Sequence, residues 1–152
     1  MLQTESRRDD EAARQRRERH AVAVACWAAV IVEPDPDRPG KERQRYGVAI
    51  RNASNTVVYD ITIRQRNAAR PTQTDISLSQ LPPDTYFVEE QGKRHWEFAK
   101  PLSEIDGDVR PVTKGESRPV VEFLFRDAAN IHWLRVDDGL LQCVEPERES
   151  RG

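Results

Sequence analysis

Hydrophobic and polar positions alternate most clearly between Pro119 and Leu141. In Pro119-Val-Val-Glu-Phe-Leu-Phe-Arg-Asp127 the side chains of Val121, Phe123 and Phe125 fall on one side of a pleated strand, and those of Glu122 and Arg126 on the other. Ala128-Ala-Asn130 separates this run from Ile131-His-Trp-Leu-Arg-Val136, and Asp137-Asp-Gly-Leu-Leu141 closes it. The pattern predicts a hairpin whose dry face, filled by Val121, Phe123, Phe125 and Trp133, needs a second layer to cover it. Asn130 and Gly139 are expected in left-handed turn conformations. Arg126 and Arg135 are expected to pair with Glu122 and Asp137.

The same grammar recurs upstream. Ala21 to Val32 reads as a strand that stops at Pro34, Pro36 and Pro39-Gly40, since proline cannot continue a ladder. Tyr46 to Asn52 and Thr56 to Arg64 alternate around Ala53-Ser54-Asn55, predicting a second hairpin with Val57, Tyr59, Ile61 and Ile63 on one face. Asp75 to Leu81 meets Thr85 to Glu89 at the corner Pro82-Pro83-Asp84. Arg94 to Phe98, after the turn Gln91-Gly92-Lys93, reads as a short strand with Trp96 and Phe98 inward. Pro101 to Pro111 reads as loop, and Lys114 to Ser117 as a turn. Short strands broken by Pro and Gly, without alternating helices, predict an all-β antiparallel sandwich of about 7–9 strands.

Ahead of the first strand, Thr4 to His20 is the one helical stretch. Asp9, Asp10 and Glu11 lie in its early turns, where they suit the helix dipole. It carries no apolar stripe, so it is expected to be a frayed helix, a solvated leader or a short docking helix. The chain therefore divides into a charged leader (1–20), a sandwich domain (21–145) and a disordered tail (146–152).

The 152 residues suffice for one domain with its own core, so neither disulfide nor metal is needed to fold it. Lys and Arg number 24 against 26 Asp and Glu, a balance that gives no footprint for nucleic acid. The leader is near neutral as well, with six arginines against five acids. Cys26 and Cys143 sit in apolar runs and are expected to be buried free thiols. Arg14-Gln-Arg-Arg-Glu-Arg-His20 before Ala21 to Val32 mimics an export signal, but acids interrupt the basic region and no Ala-x-Ala site follows. The apolar run is also short of the roughly 20 residues a membrane helix needs. A cytoplasmic location is expected.

Asn52 to Ile63, Leu78-Ser-Gln-Leu-Pro-Pro-Asp84, Lys114-Gly-Glu-Ser117 and Val121-Glu-Phe-Leu-Phe125 together resemble the immunoglobulin-like or fibronectin type III-like β-sandwich domains of bacterial proteins. The resemblance spans roughly residues 21 to 144 and rests on turn-and-strand grammar. The Cys–Trp–Cys spacing of antibody domains is missing, so the resemblance implies a fold and no binding residues.

Chemistry-bearing patterns are sparse. His20, His95 and His132 stand apart, no Cys-x-x-Cys occurs, and no metal or other cofactor is expected. Glu104-Ile-Asp-Gly-Asp108 lacks the spacing of a calcium loop and reads as an acidic surface loop. No Gly-x-Ser-x-Gly is present, and Cys143 with His132 is the sole candidate thiol–base pair. Asn52-Ala-Ser54 matches a glycosylation acceptor but equally reads as a turn. The expectation is a non-catalytic protein-interaction or assembly module whose partner is another protein, with Arg94, His95 and Trp96 as candidate partner-binding residues. The alternative is an exported or membrane-anchored surface or adhesion domain.

Overall fold

The computed structural model describes residues 2–66, 74–91, 95–114, 119–136, 139 and 141–144, with the side chains of residues 2–5 and 95 left out. A long helix, α1 (Leu2–Val22), leads into β1 (Val24–Pro34), and β2 (Glu42–Asn52), β3 (Val58–Gln65), β4 (Ile76–Leu81) and β5 (Asp84–Gln91) follow. Two short strands, β6 (His95–Trp96) and β7 (Lys100–Pro101), precede a single 3-10 turn at Leu102–Glu104 and β8 (Asp108–Pro111). The last strands are β9 (Val120–Arg126), β10 (His132–Val136) and β11 (Leu141–Val144). One sheet has the order β6-β5-β2-β1-β8, with β7 also on β5; the other has the order β11-β10-β9-β3-β4. All pairings are antiparallel.

The chain is thus an antiparallel sandwich with an N-terminal helix. It has more strands than expected because Pro101 to Pro111, which reads as loop, contributes a residue to β7 and all of β8. Between the sheets, Val24, Val48, Ile50 and Val88 pack against Val58, Ile61, Ile63, Phe123, Phe125 and Trp133. The Phe123 and Phe125 rings sit 5.2 Å apart at a 34° tilt, within the range of favourable aromatic pairs.

The closing hairpin forms as the pattern requires, with Trp133 opposite Phe125 and Asn130 at φ 64°. Its organiser is Asp127. One carboxylate oxygen accepts the Ala129 and Ile131 backbone N–H groups, each at 2.9 Å, and the other accepts the Trp133 indole N–H at 2.9 Å. Asp127 is buried, and these bonds satisfy it where water cannot.

The second expected hairpin does not form. β2 lies in one sheet and β3 in the other, so residues 53–57 cross between the layers. Buried Asn52 directs the crossing: its amide nitrogen donates to Thr56 O at 2.8 Å and Leu81 O at 2.9 Å, and its oxygen accepts from Ser54 Oγ at 2.6 Å. With that amide committed to the interior, Asn52 is no exposed glycosylation acceptor. The expected face of β3 is also out of phase at its start. Asp60 sits at φ 50°, where the β3–β9 register shifts. The bulge puts Val58 in the core in place of Val57 and Tyr59, and the phase recovers at Ile61 and Ile63.

The expected ion pairs of the last hairpin are replaced. Arg126 pairs with Asp60 at 2.9 Å and lies 4.8 Å from the Tyr59 ring centroid. Glu122 pairs with Arg64 at 2.8 Å. Arg135 donates to Gly139 O at 3.0 Å, while Asp137 lies outside the described residues.

Helix α1 is exposed from Ser6 to His20 apart from half-buried Ala13, and buried Ala21 anchors its end against the core. Among the described residues no helix is long and apolar enough to cross a membrane.

Candidate functional site: a cavity on the outer face of one sheet

Alternation in β1, β2 and β5 gives their sheet a second apolar face, pointing away from the sandwich interior. Ala29 and Ile31 of β1, Ala49 of β2 and Phe87 of β5 make a small cluster there, joined by Ile105 and Val109. The chain after β5 covers part of this face. Lys100 and Pro101 pair with Phe87 and Tyr86, Ile105 N–H donates to Leu102 O at 3.1 Å, and Gly107, at φ 117°, turns the chain into β8 on the far side of β1. Between this strap and the sheet lies a cavity of about 240 Å³.

Its floor is Ile31, Phe87 and Ile105. Gly47 lets the Phe87 ring lie close over β2: a Cβ at that position would come 2.6 Å from Phe87 Cζ. One wall is an ion ladder. Glu33 meets Arg43 at 2.5 Å and Arg45 at 2.9 Å, and Arg45 donates to Glu89 at 2.7 Å. The Arg43 hydrogen bond is the chief cause holding the Glu33 carboxyl below its ordinary value; partial desolvation opposes it and Arg45 adds to it. The Arg45 Nε is buried and lacks a well-aligned acceptor despite its closeness to Glu33.

The rest of the polar lining is Glu97, Lys100, Glu104 and Asp106. Glu97 accepts a hydrogen bond from Gln91, whereas Glu104 and Asp106 have no ion-pair partner among the described residues. Five carboxylates (Glu33, Glu89, Glu97, Glu104, Asp106) against two cations (Arg45, Lys100) leave the lining at a formal −3. Phe98 stands at the rim, 87% exposed.

Of the candidate residues from the sequence, Arg94 lies outside the described residues. His95 is placed by its backbone in β6, opposite Gln91. Trp96 is half-buried, packs against the core and donates its indole N–H to Thr74 O at 2.7 Å, so it ties β6 to the start of β4. The exposed aromatic is Phe98, expected inward. The strand ends at Trp96, Glu97 N–H still reaches Glu89 O at 2.9 Å, and beyond it the alternation that would have buried Phe98 is broken.

His132 and Cys143 do not meet. His132 pairs with Val144 and Trp133 with Cys143, so the two side chains leave opposite faces of the sheet. Cys143 is exposed and Cys26 half-buried, both as free thiols. Desolvation pushes the Cys26 thiol up to about 12, against a small downward pull from Arg135. That leaves Cys26 a packed apolar group and a poor nucleophile. Asp108, part of the acidic run Glu104 to Asp108, pairs with Arg110 at 2.7 Å. Among the described residues no group of three His, Cys, Asp or Glu side chains is arranged to hold a metal ion.

No protein-family model, no curated protein and no solved structure matches the chain.

Proposed function

We propose that the chain is a non-catalytic, immunoglobulin-like protein-interaction or assembly module of the cytoplasm, and that it docks a partner protein at the cavity beneath residues 97–106. The observation that carries this reading is Phe98. It is the most exposed large apolar side chain among the described residues, it stands at the mouth of the cavity, and none of the described residues covers it. A large apolar side chain at the mouth of a preformed, partly apolar hollow supports a docking role. The proposed contact segment is 96–98, with Glu97 and Phe98 lining the cavity and Trp96 anchoring it through Thr74; α1 serves as tether or docking element.

The exported alternative has less support. The run that mimics a signal core is β1, which pairs along its whole length with β2 and holds Val24, Ala29, Val30, Ile31 and Val32 buried on the two faces of its sheet. Cleavage near Val32 would remove a central strand.

Affinity capture from the native host tests the reading. Bound proteins are identified for the wild-type chain, for Phe98→Ser and for the chain without residues 1–20. The cavity reading expects Phe98→Ser to lose specific partners that the wild type retains. An unchanged set of partners would refute it.

A further inference from the structure

We propose that the cavity receives an arginine side chain from helix α1 of a second copy of this chain, an inference that rests on reading the cavity as a protein-docking site. Two surfaces of one molecule are complementary in charge. The second half of α1 presents Arg14, Arg16, Arg17 and Arg19, all exposed, and none is tied to a carboxylate among the described residues. Arg16, Arg19 and His20 are spaced three and four apart and share one helix face. The cavity lining carries a formal −3, with Glu104 and Asp106 unpaired among the described residues.

The size of the hollow fits one side chain. At about 240 Å³ it falls below the roughly 300–1,000 Å³ of sites that take drug-sized ligands. An arginine has the parts that the lining asks for. Its methylenes lie on Ile31, Phe87 and Ile105, its guanidinium stacks on Phe98, and its fork donates to the carboxylates of Glu104 and Asp106.

The two surfaces lie at opposite ends of the domain. α1 joins β1 at Val24, whereas the cavity is lined by Ile31 and Glu33. The nine residue steps between Val24 and Glu33, at about 3.3 Å each, put roughly 30 Å between them. α1 leaves the sheet at the far end from the cavity and stays exposed, so the helix that fills a cavity belongs to another copy. Such a contact is heterologous and propagates head to tail.

Sedimentation velocity of the full chain over a hundredfold range of concentration tests this. The wild type is expected to grow in size with concentration at low salt and to dissociate at high salt, because attraction between exposed charges is screened beyond about 8 Å at physiological ionic strength. Arg16→Gln with Arg19→Gln blocks the helix, and Glu104→Gln with Asp106→Asn blocks the cavity; each double variant is expected to weaken self-association at least tenfold. Mixed in equal amounts, the two variants retain one productive contact, between the intact cavity of the first and the intact helix of the second. They are expected to form a 1:1 dimer that grows no further. Wild-type association by the cavity-blocked variant, or a mixture that stays monomeric, overturns the inference. A wild type that is monomeric throughout, while Phe98→Ser still abolishes capture of a partner, overturns the inference and leaves the docking reading standing. Unchanged capture by Phe98→Ser removes both.

Discussion

Replacing Asp127 should cost more stability than any other single polar change in the closing hairpin. In Asp127→Ala the Ala129 and Ile131 backbone N–H groups and the Trp133 indole N–H all lose their acceptor. The first two lie in a turn where water can replace the carboxylate, and each loses about 0.5–1.5 kcal/mol. Trp133 is 5% exposed, so its N–H is left dry and unsatisfied at about 1–3 kcal/mol. The sum is about 2–6 kcal/mol, a large share of the stability of an ordinary domain. Asp127→Asn separates the contributions. Its remaining oxygen can serve the two turn amides while its NH₂ faces the Trp133 N–H, so the expected loss falls to about 1–3 kcal/mol. Urea unfolding followed by tryptophan fluorescence and by circular dichroism measures both variants, with an unchanged slope as the check that only stability moved. A loss below about 1 kcal/mol for Asp127→Ala would show that the carboxylate is not the organiser of the turn.

Three further outcomes follow from other parts of the molecule. Gly47→Ala would press a methyl group on Phe87 and the β5 backbone; the expected cost is about 1–3 kcal/mol by urea unfolding, and a neutral result would contradict the close approach. Cys143 should react with a thiol reagent readily in the native state, whereas Cys26, whose thiol burial pushes up to about 12, should react far more slowly; equal rates would contradict its packing. Because the folded Glu33 carboxyl lies below its ordinary value of 4.5, its contribution to stability is present above that pH and is lost as pH falls through the folded value. Arg43→Met removes the main cause of the shift, so stability measured against pH should fall less steeply on the acid side of 4.5; an unaltered acid limb would contradict the assignment.

The sandwich was legible because its signal is local. Phe123 and Phe125 alternate with polar residues, Asn130 supplies the left-handed turn, and Pro34 ends the first strand where it should. What escaped depended on non-local choices. Asn52 and Thr56 flank a short polar turn that reads as a hairpin, and only the bonds from Asn52 to Thr56 and Leu81 send the chain across to the other sheet. Asp60 carries no sequence mark of a bulge, since it sits inside an unbroken alternating run from Val57 to Ile63 where a polar residue reads as the outward position. The cavity was illegible for the same reason. Its walls come from Glu33, Arg45, Glu89 and Asp106, spread over three strands and a strap, and no spacing rule links them. The one partial signal was the acidic run Glu104 to Asp108, which as a sequence is indistinguishable from a solvated loop.

The proposed docking of partners places them on the outer face beneath residues 97–106. Hydrogen exchange of the chain alone and in complex with a captured partner tests this most directly. New protection is expected in residues 97–106 and at the adjoining ends of β1, β2 and β5, with the β4 and β11 edges unchanged. Protection confined to β4, β11 or the outer face of β9 and β10, with residues 97–106 exchanging as in the free chain, would contradict it.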